Sequence, residues 1–302
     1  MTEVLARGLY ALALRLLTPA YLLRLWWRGR AEPGYRAHGA ERLGCGPAEP
    51  PGRLWIHAVS LGETKAVEPL LAALRERDPH LRLLLTHGTA TGREAGRALL
   101  RAGDIQCWQP WDTPGAVRRF LARHRPSAGV VMETEVWPVL LHEAQRAAVP
   151  MLLANARLSP KSEHQGRRFA ALLHPALARF ATVLAQTEAD ATRLRASGAQ
   201  AVQVAGNLKF DIPMRPELLA RGRAWKQTLG RPVVLAAVTR EGEEAELLQA
   251  WSRAPHGKAL LVIVPRHPQR FDEVAALVGS AGLELARRSG FVEDQPSEAA
   301  RA

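Results

Sequence analysis

Residues 54–77 read LWIHAVSLGETKAVEPLLAALRER. The first six, LWIHAV, are an apolar run of strand length, and the last stretch, KAVEPLLAALRER, places apolar residues at helical spacing. SLGET joins them, with Glu63 at the start of the helix. Strand, polar turn and helix open a βαβ unit, and the same succession recurs along the chain.

Outward from this stretch, further strands are expected at 81–86, 105–108, 128–132, 151–154, 182–185 and 202–205. Helical patterns lie between them at 93–102, 116–123, 139–147 and 166–180. Alternation of this kind gives an α/β fold with a parallel sheet. A linker at 210–216, FDIPMRP, carries two prolines. The pattern then restarts: helix 217–228, strand 233–238, helix 241–253, strand 259–264, helix 269–281, strand 283–286. The expected organisation is an anchor helix and linker (1–40), a first α/β domain (41–212) and a partial second one (213–302).

The chain has 302 residues, 47% hydrophobic and 23% charged, which excludes disordered and low-complexity classes. Two cysteines, Cys45 and Cys107, make neither a disulfide framework nor a four-ligand zinc site. The net charge of +12 favours a polyanionic partner. Only five of the 41 basic residues are lysines, and the arginines are scattered rather than gathered in a stripe, which argues against nucleic acid.

Residues 9–27, LYALALRLLTPAYLLRLWW, are nearly all apolar. Nineteen residues just suffice to cross a hydrocarbon core, but Arg15 falls near the middle and Arg24 near the end. No small-residue cleavage site follows. The expectation is membrane contact, spanning or lying in the interface, against the alternative of a helix packed on the body. The excess of arginine after the segment puts the body on the cytoplasmic side if the segment spans.

In open α/β sheets ligands bind at the carboxyl ends of the strands. SLGET (60–64), THGTATG (86–92), ETEVWP (133–138), NARLS (155–159), GNLKFD (206–211), TREGEE (239–244) and PRHP (265–268) all follow expected strands. Glu63 is either a first-turn carboxylate complementing the helix dipole or a general base able to take a proton from a hydroxyl. Gly62 beside it allows close approach of a ligand. Glu133 and Glu135 have no accompanying His or Asp cluster, so a metal pair is disfavoured. THGTATG matches no phosphate-loop pattern and is either an anion-binding turn or simple turn chemistry. Arg157, Lys209 and Arg266 are cations placed where carboxylate or phosphate would be held.

Taken in order, SLGE, THGTATG, ETEVWP, NARLS, GNLKFD, TREGEE and PRHP, after a Trp-rich helix and EPGY (32–35), resemble the lipopolysaccharide Kdo transferases, Kdo being 3-deoxy-D-manno-octulosonic acid. The resemblance implies a GT-B architecture, two Rossmann-like domains facing a cleft, and a membrane-associated N-terminal helix. It implies an inverting glycosyltransferase that moves Kdo from a CMP-Kdo donor to a glucosamine hydroxyl of a lipid A precursor, without a catalytic metal or other cofactor. The place implied is the cytoplasmic face of the inner membrane. Residue by residue, Glu63 would be the general base, Glu133 and Lys209 would stabilise the transition state, and Pro265 and Arg266 would hold CMP. Leu61 stands where the family usually has Val, and Val238 where a Ser is common. The stretch PKSEHQGRRF (160–169) is more polar than the family pattern.

The second half has room for about three strands, where a doubly wound nucleotide-binding half has five or six. The family continues with a Gly-rich nucleotide loop and an Asn/Glu motif that this sequence does not contain. The end, GFVEDQPSEAARA (290–302), reads as a loose polar tail. A C-terminally truncated, poor or inactive transferase is therefore expected. The competing readings are another nucleotide-sugar glycosyltransferase with a lipid-linked acceptor, and a non-catalytic protein that binds the lipid A precursor.

Overall fold

The seven apolar runs before residue 206 become seven strands of one parallel sheet: β1 (Leu54–His57), β2 (Leu83–His87), β3 (Ile105–Trp108), β4 (Ala128–Met132), β5 (Met151–Ala156), β6 (Phe180–Ala185) and β7 (Val202–Val204). The computed structural model describes residues 2–212, 214–293 and 295–301. It divides into two compact units, one up to Pro213 and one from Met214.

In the first unit the strand order is β3-β2-β1-β4-β5-β6-β7. The chain winds outward from β1 to β3, then returns to β4 beside β1 and winds the other way. Reversal of direction leaves a crevice at the carboxyl ends of β1 and β4, where the crossover helices diverge. Alternate residues of the strands feed two cores. Trp55, Leu84, Val131 and Leu153 enter one, and Ile56, Leu85, Val130 and Ala154 the other. Both faces of a parallel sheet are covered, so the strands are apolar throughout rather than alternating.

The crossovers are α2 (Leu61–Arg77), α3 (Ala90–Gly96), α4 (Pro114–His124), α5 (Pro138–Arg146), α6 (Pro160–Gly166), α7 (Ala170–Leu177) and α8 (Glu188–Ala196). The helix expected over 166–180 is interrupted at Arg167–Phe169 by a 3-10 turn, and Pro175 lies within α7. The glycines of THGTATG serve close packing. A Cβ at Gly88 would meet Val59 Cγ1 at 2.7 Å, and one at Gly92 would meet the Val59 oxygen at 3.1 Å. Thr89 Oγ1 accepts the Gly92 N–H at 3.2 Å, the turn chemistry of a helix N-cap.

Of the two arrangements expected for the N-terminal segment, spanning and interfacial, the structure removes the first. α1 (Glu3–Arg28) lies against the first unit, and no helix among the described residues is long and apolar enough to cross a membrane. Arg15 and Arg24 interrupt the apolar window, and one stripe of the helix is already used against protein. Ala6, Ala11 and Leu25 are buried, Tyr21 stacks on Trp111 at 3.9 Å, and Trp111 Nε1 donates to the Leu14 oxygen at 3.2 Å. Arg179 reaches back to Glu3 at 2.5 Å. The opposite side is leucine-rich and bare: Leu9, Leu12, Leu16, Leu23 and Trp27 are all more than half exposed.

Asp112, after β3, fastens this layer. Its carboxylate is fully buried and accepts the N–H groups of Leu140 (2.7 Å) and Val139 (3.2 Å) in the first turn of α5. Burial pushes it up to about 6, while hydrogen bonds from Tyr10 of α1 and from the helix start pull the other way.

The second unit comprises α9 (Pro216–Leu229), β8 (Val233–Thr239), α10 (Glu243–Arg253), β9 (Leu260–Pro265), α11 (Phe271–Ser280) and α12 (Glu298–Arg301). β8 and β9 pair in parallel as a two-stranded sheet. Residues 283–286 form no strand, contrary to expectation, because LELA finds no ladder with either strand. The C-terminal stretch is also not the loose tail expected. Phe291 packs edge-on against Trp225 of α9 at 5.4 Å, and Arg231 donates to the Ala300 oxygen at 2.9 Å.

Candidate active site

Glu63 follows β1 and Glu133 follows β4, the two strands that flank the switch of winding direction. Ser60 is the N-cap of α2, and Glu63 sits three residues on, the spacing of a capping box. Ser60 Oγ donates to Glu63 Oε1 at 2.9 Å, and Glu63 Oε2 accepts the Val59 N–H at 2.7 Å. The cap locks the carboxylate into one rotamer at the mouth of the crevice, so the two readings of Glu63 are compatible. Glu63 is 8% exposed. Burial raises its proton affinity against the pull of those hydrogen bonds; Glu133 adds to the rise and Lys209 opposes it. A Cβ on Gly62 would meet only Ser60 Oγ, at 3.9 Å, so the space over this turn is open.

Glu133 turns the chain out of β4 in a left-handed conformation, φ 59°, with its N–H donated to the Ala154 oxygen at 2.9 Å. Its Oε1 accepts from Lys209 Nζ at 2.8 Å. Lys209 stands on a 3-10 turn, Leu208–Asp211, which packs on α2. Glu135, two residues beyond Glu133, is partly exposed. Burial, then the charges of Glu63 and Glu133, push it up to about 7. Three carboxylates therefore share one field with one lysine, and one of the three holds its proton near neutral pH.

Asn155, which sequence reasoning passed over, fixes where Lys209 stands. It adopts φ 54°, a left-handed conformation that Asn tolerates better than most residues. Its Oδ1 accepts the Leu208 N–H at 3.1 Å, and Gln186 Nε2 donates to its backbone oxygen at 3.0 Å. The side chain is 3% exposed. Its position inside NARLS was visible in the sequence, but the motif drew notice for Arg157, which is exposed at the end of β5.

Of the residues expected at the site, Glu63, Glu133 and Lys209 come together in the first unit. Pro265 and Arg266 lie in the second, at the carboxyl end of β9. The Arg266 N–H donates to the Thr239 oxygen at 2.9 Å and its side chain is exposed. TREGEE is held by an ion pair whose carboxylate, Glu244, is fully buried. Glu244 accepts from Arg270 at 2.8 Å and 3.1 Å and from Thr239 Oγ1 at 2.7 Å. His87 of THGTATG is the buried last residue of β2, bonded to the Ala58 oxygen at 2.9 Å. Burial pushes its imidazole down to about 4, so it is neutral and structural. Among the described residues, no group of three or more His, Cys, Asp or Glu side chains has the arrangement to hold a metal ion.

Chemically, the cluster offers a buried base of raised proton affinity, a cation beside it, and open space above a glycine. That set suits deprotonation of a hydroxyl close to an anionic group.

Residues 37–212 match the family model of 3-deoxy-D-manno-octulosonic-acid transferase. A 3-deoxy-D-manno-octulosonic acid transferase of Bordetella pertussis is 47% identical over 300 residues, which span 94% of this chain and 70% of that protein. The protein of the same name from Haemophilus influenzae is 33% identical over 94% of this chain and 68% of its own length. Among solved structures, the chain resembles a UDP-GlcNAc 2-epimerase from Neisseria meningitidis, with a TM-score of 0.52 and 13% identity over 76% of this chain and 69% of that one. That last likeness is one of fold alone.

Proposed function

The chain belongs to the 3-deoxy-D-manno-octulosonic acid (Kdo) transferase family, and on that premise we propose that it moves Kdo from a CMP-activated donor to a glucosamine hydroxyl of a lipid A precursor. The observation that carries this reading is the capped, buried Glu63 in one electrostatic cluster with Glu133 and Lys209.

The reaction is a single inverting displacement. The acceptor oxygen attacks the anomeric carbon of Kdo while its proton passes to Glu63. The bond from that carbon to the CMP phosphate oxygen breaks, and CMP leaves with the electron pair. A base of raised proton affinity, held in one rotamer, suits the first part. Lys209 offsets the negative charge of donor and leaving group, and Glu133 orients its ammonium group. Pro265 and Arg266 are assigned to CMP, Arg266 as a guanidinium partner for phosphate. Both substrates are anionic, which suits the net charge of +12. No resident cofactor enters this scheme. The family architecture assigned to the chain is GT-B, with the first unit serving the acceptor and the second the donor.

α1 is assigned to the cytoplasmic face of the inner membrane as an interfacial helix. Its packed stripe ties it to the protein, and its bare leucines and Trp27 match the apolar face of such helices. Arg15 and Arg24 would meet anionic headgroups.

A donor screen tests the reading. The chain is incubated at substrate-level amounts with the lipid A precursor and either CMP-Kdo or UDP-sugars, and the lipid product is weighed by mass spectrometry. Addition of Kdo from CMP-Kdo alone is expected, at the low yield that a second unit with two paired strands allows. Transfer from a UDP-sugar, or no modified lipid from any donor, would overturn the assignment.

A further inference from the structure

We propose that a cavity beneath the carboxylate loop holds one acyl chain of the lipid acceptor, an inference that rests on the acceptor being acylated. The cavity has a volume of about 330 Å³ and lies wholly in the first unit. Leu153, Leu158, Leu173, Leu177, Leu194 and Val136 line it. Of its polar lining groups, Glu163 and Arg167 pair with each other at 2.9 Å, and Ser162 Oγ lies 2.9 Å from Ser159 Oγ. With those charges already paired to each other, the six aliphatic side chains are the main surface left for a ligand, which favours a hydrocarbon over a sugar or a nucleotide. Its size is at the lower end of the ligand-pocket range of roughly 300–1,000 Å³. It therefore takes a single chain, not a whole multi-chain lipid.

Two of its walls say which hydrocarbon. One is the loop after β4. Thr134 and Val136 line the cavity, while Glu133 and Glu135, interleaved with them, belong to the reacting cluster. A chain seated here is therefore attached to a molecule that lies against the carboxylates. The other wall is α7, which supplies Leu173, His174 and Leu177 and is also the helix on which α1 lies. The same short helix thus touches both the cavity and the helix assigned to the membrane surface. Ser162, Glu163, Arg167 and Ser197 give the lining its polar edge. The segment that encloses this side, PKSEHQGRRF, is the one whose polarity departs from the family pattern. Its polar residues cover an apolar interior.

Gly166 gives direct access to the proposal. It lines the cavity in a right-handed helical conformation, φ −63°, and a Cβ there would meet only Leu173 Cδ1 at 3.6 Å. Gly166→Leu fills the space without backbone strain, and Gly166→Ala leaves it open. Titration of dodecyl phosphate and butyl phosphate onto the full chain reads the cavity without any transfer reaction. One saturable site for dodecyl phosphate is expected, with butyl phosphate at least about 100-fold weaker. Gly166→Leu should weaken dodecyl phosphate by about tenfold or more, and Gly166→Ala should not. Leu173→Trp, a filler from the opposite wall, repeats the test should Gly166→Leu unfold. Unchanged binding in folded, filled variants would overturn the cavity as a hydrocarbon site.

The occupant is read in a second arm, comparing the acylated acceptor with the same disaccharide stripped of its chains. Gly166→Leu should raise KM for the acylated acceptor about tenfold and leave the stripped one unchanged. An unchanged KM for the acylated acceptor would show that the chain belongs to some other lipid and overturn the assignment. A wild type that binds dodecyl phosphate in the expected way but transfers to neither sugar contradicts the transferase reading and leaves the cavity standing.

Discussion

Lys209 Nζ lies 2.8 Å from Glu133 Oε1, although 76 residues separate them in the chain. The pair bridges the end of β4 and the 3-10 turn that packs on α2, so it joins the two sides of the crevice in the first unit. An ion pair this exposed contributes little to stability, and its expected value lies in charge placed beside the reacting atoms. Lys209→Ala should lower Kdo transfer by about 10²–10³-fold while stability changes by less than about 1 kcal/mol. Steady-state kinetics beside thermal melts check this. A melt that falls with activity in proportion would make the pair structural.

Asn155 is expected to act through Lys209. Asn155→Ala removes the acceptor for the Leu208 N–H and places a less tolerant residue at φ 54°, so a loss of about 1–3 kcal/mol is expected. Asn155→Asp retains an oxygen at the same place and should recover most of the activity lost in Asn155→Ala. A purely structural role would move stability in both without that rescue in kcat.

Glu135 gives the protein a specific pH dependence. Its carboxyl titrates near 7 in the fold instead of at the ordinary Glu value, because of burial first and the charges of Glu63 and Glu133 next. The folded state therefore binds a proton that the unfolded chain has already released between about pH 4.5 and 7. The stability associated with that proton is fully present below this window and is lost as pH rises through it. Glu135→Gln should be more stable than wild type at pH 8 by about 1 kcal/mol, solvent screening being allowed for. Denaturant unfolding at pH 5 and pH 8 measures it, and an equal effect at both would refute the assignment.

The two sides of α1 should separate in mutation. Leu9→Gln, Leu16→Gln and Trp27→Gln together change only bare positions, so binding to anionic vesicles should fall while the melt stays put. Tyr21→Ala removes the stack on Trp111 and should destabilise the fold by about 1–2 kcal/mol. Flotation with vesicles and thermal melts read the two effects. Vesicle binding that survives the triple change would place attachment on the basic surface of the body.

Much of this was legible in residues 54–205, where each strand is a short apolar run ended by polar turn residues. Buried parallel strands announce themselves that way because both faces are covered. LELA at 283–286 has a local strand pattern too, but a strand exists only with a ladder partner, and local pattern does not contain one. The placement of Glu63, Glu133 and Lys209 after apolar runs was visible in the sequence, while the roles proposed for them come from the family resemblance. Asn155 was not, because its work is a left-handed backbone and one hydrogen bond to a residue 53 positions on. Glu135 stood in plain view, but its proton depends on Glu63, which folding brings near. In α1 the hydropathy was plain. Which stripe faces protein is decided by Ala6, Ala11 and Tyr21 fitting the body, and a count of apolar residues does not weigh fit.

The central claim is that Glu63 takes the acceptor's proton. Single-turnover transfer of Kdo from CMP-Kdo to the lipid A precursor, with wild type and Glu63→Gln compared by mass spectrometry, tests it most directly. Gln keeps the shape and can still accept the Val59 N–H, so the fold should hold. The expected result is a fall of at least about 10²-fold in rate with thermal stability nearly unchanged. A folded Glu63→Gln chain that transfers Kdo within about tenfold of wild type would contradict the assignment and leave Glu63 as a helix cap alone.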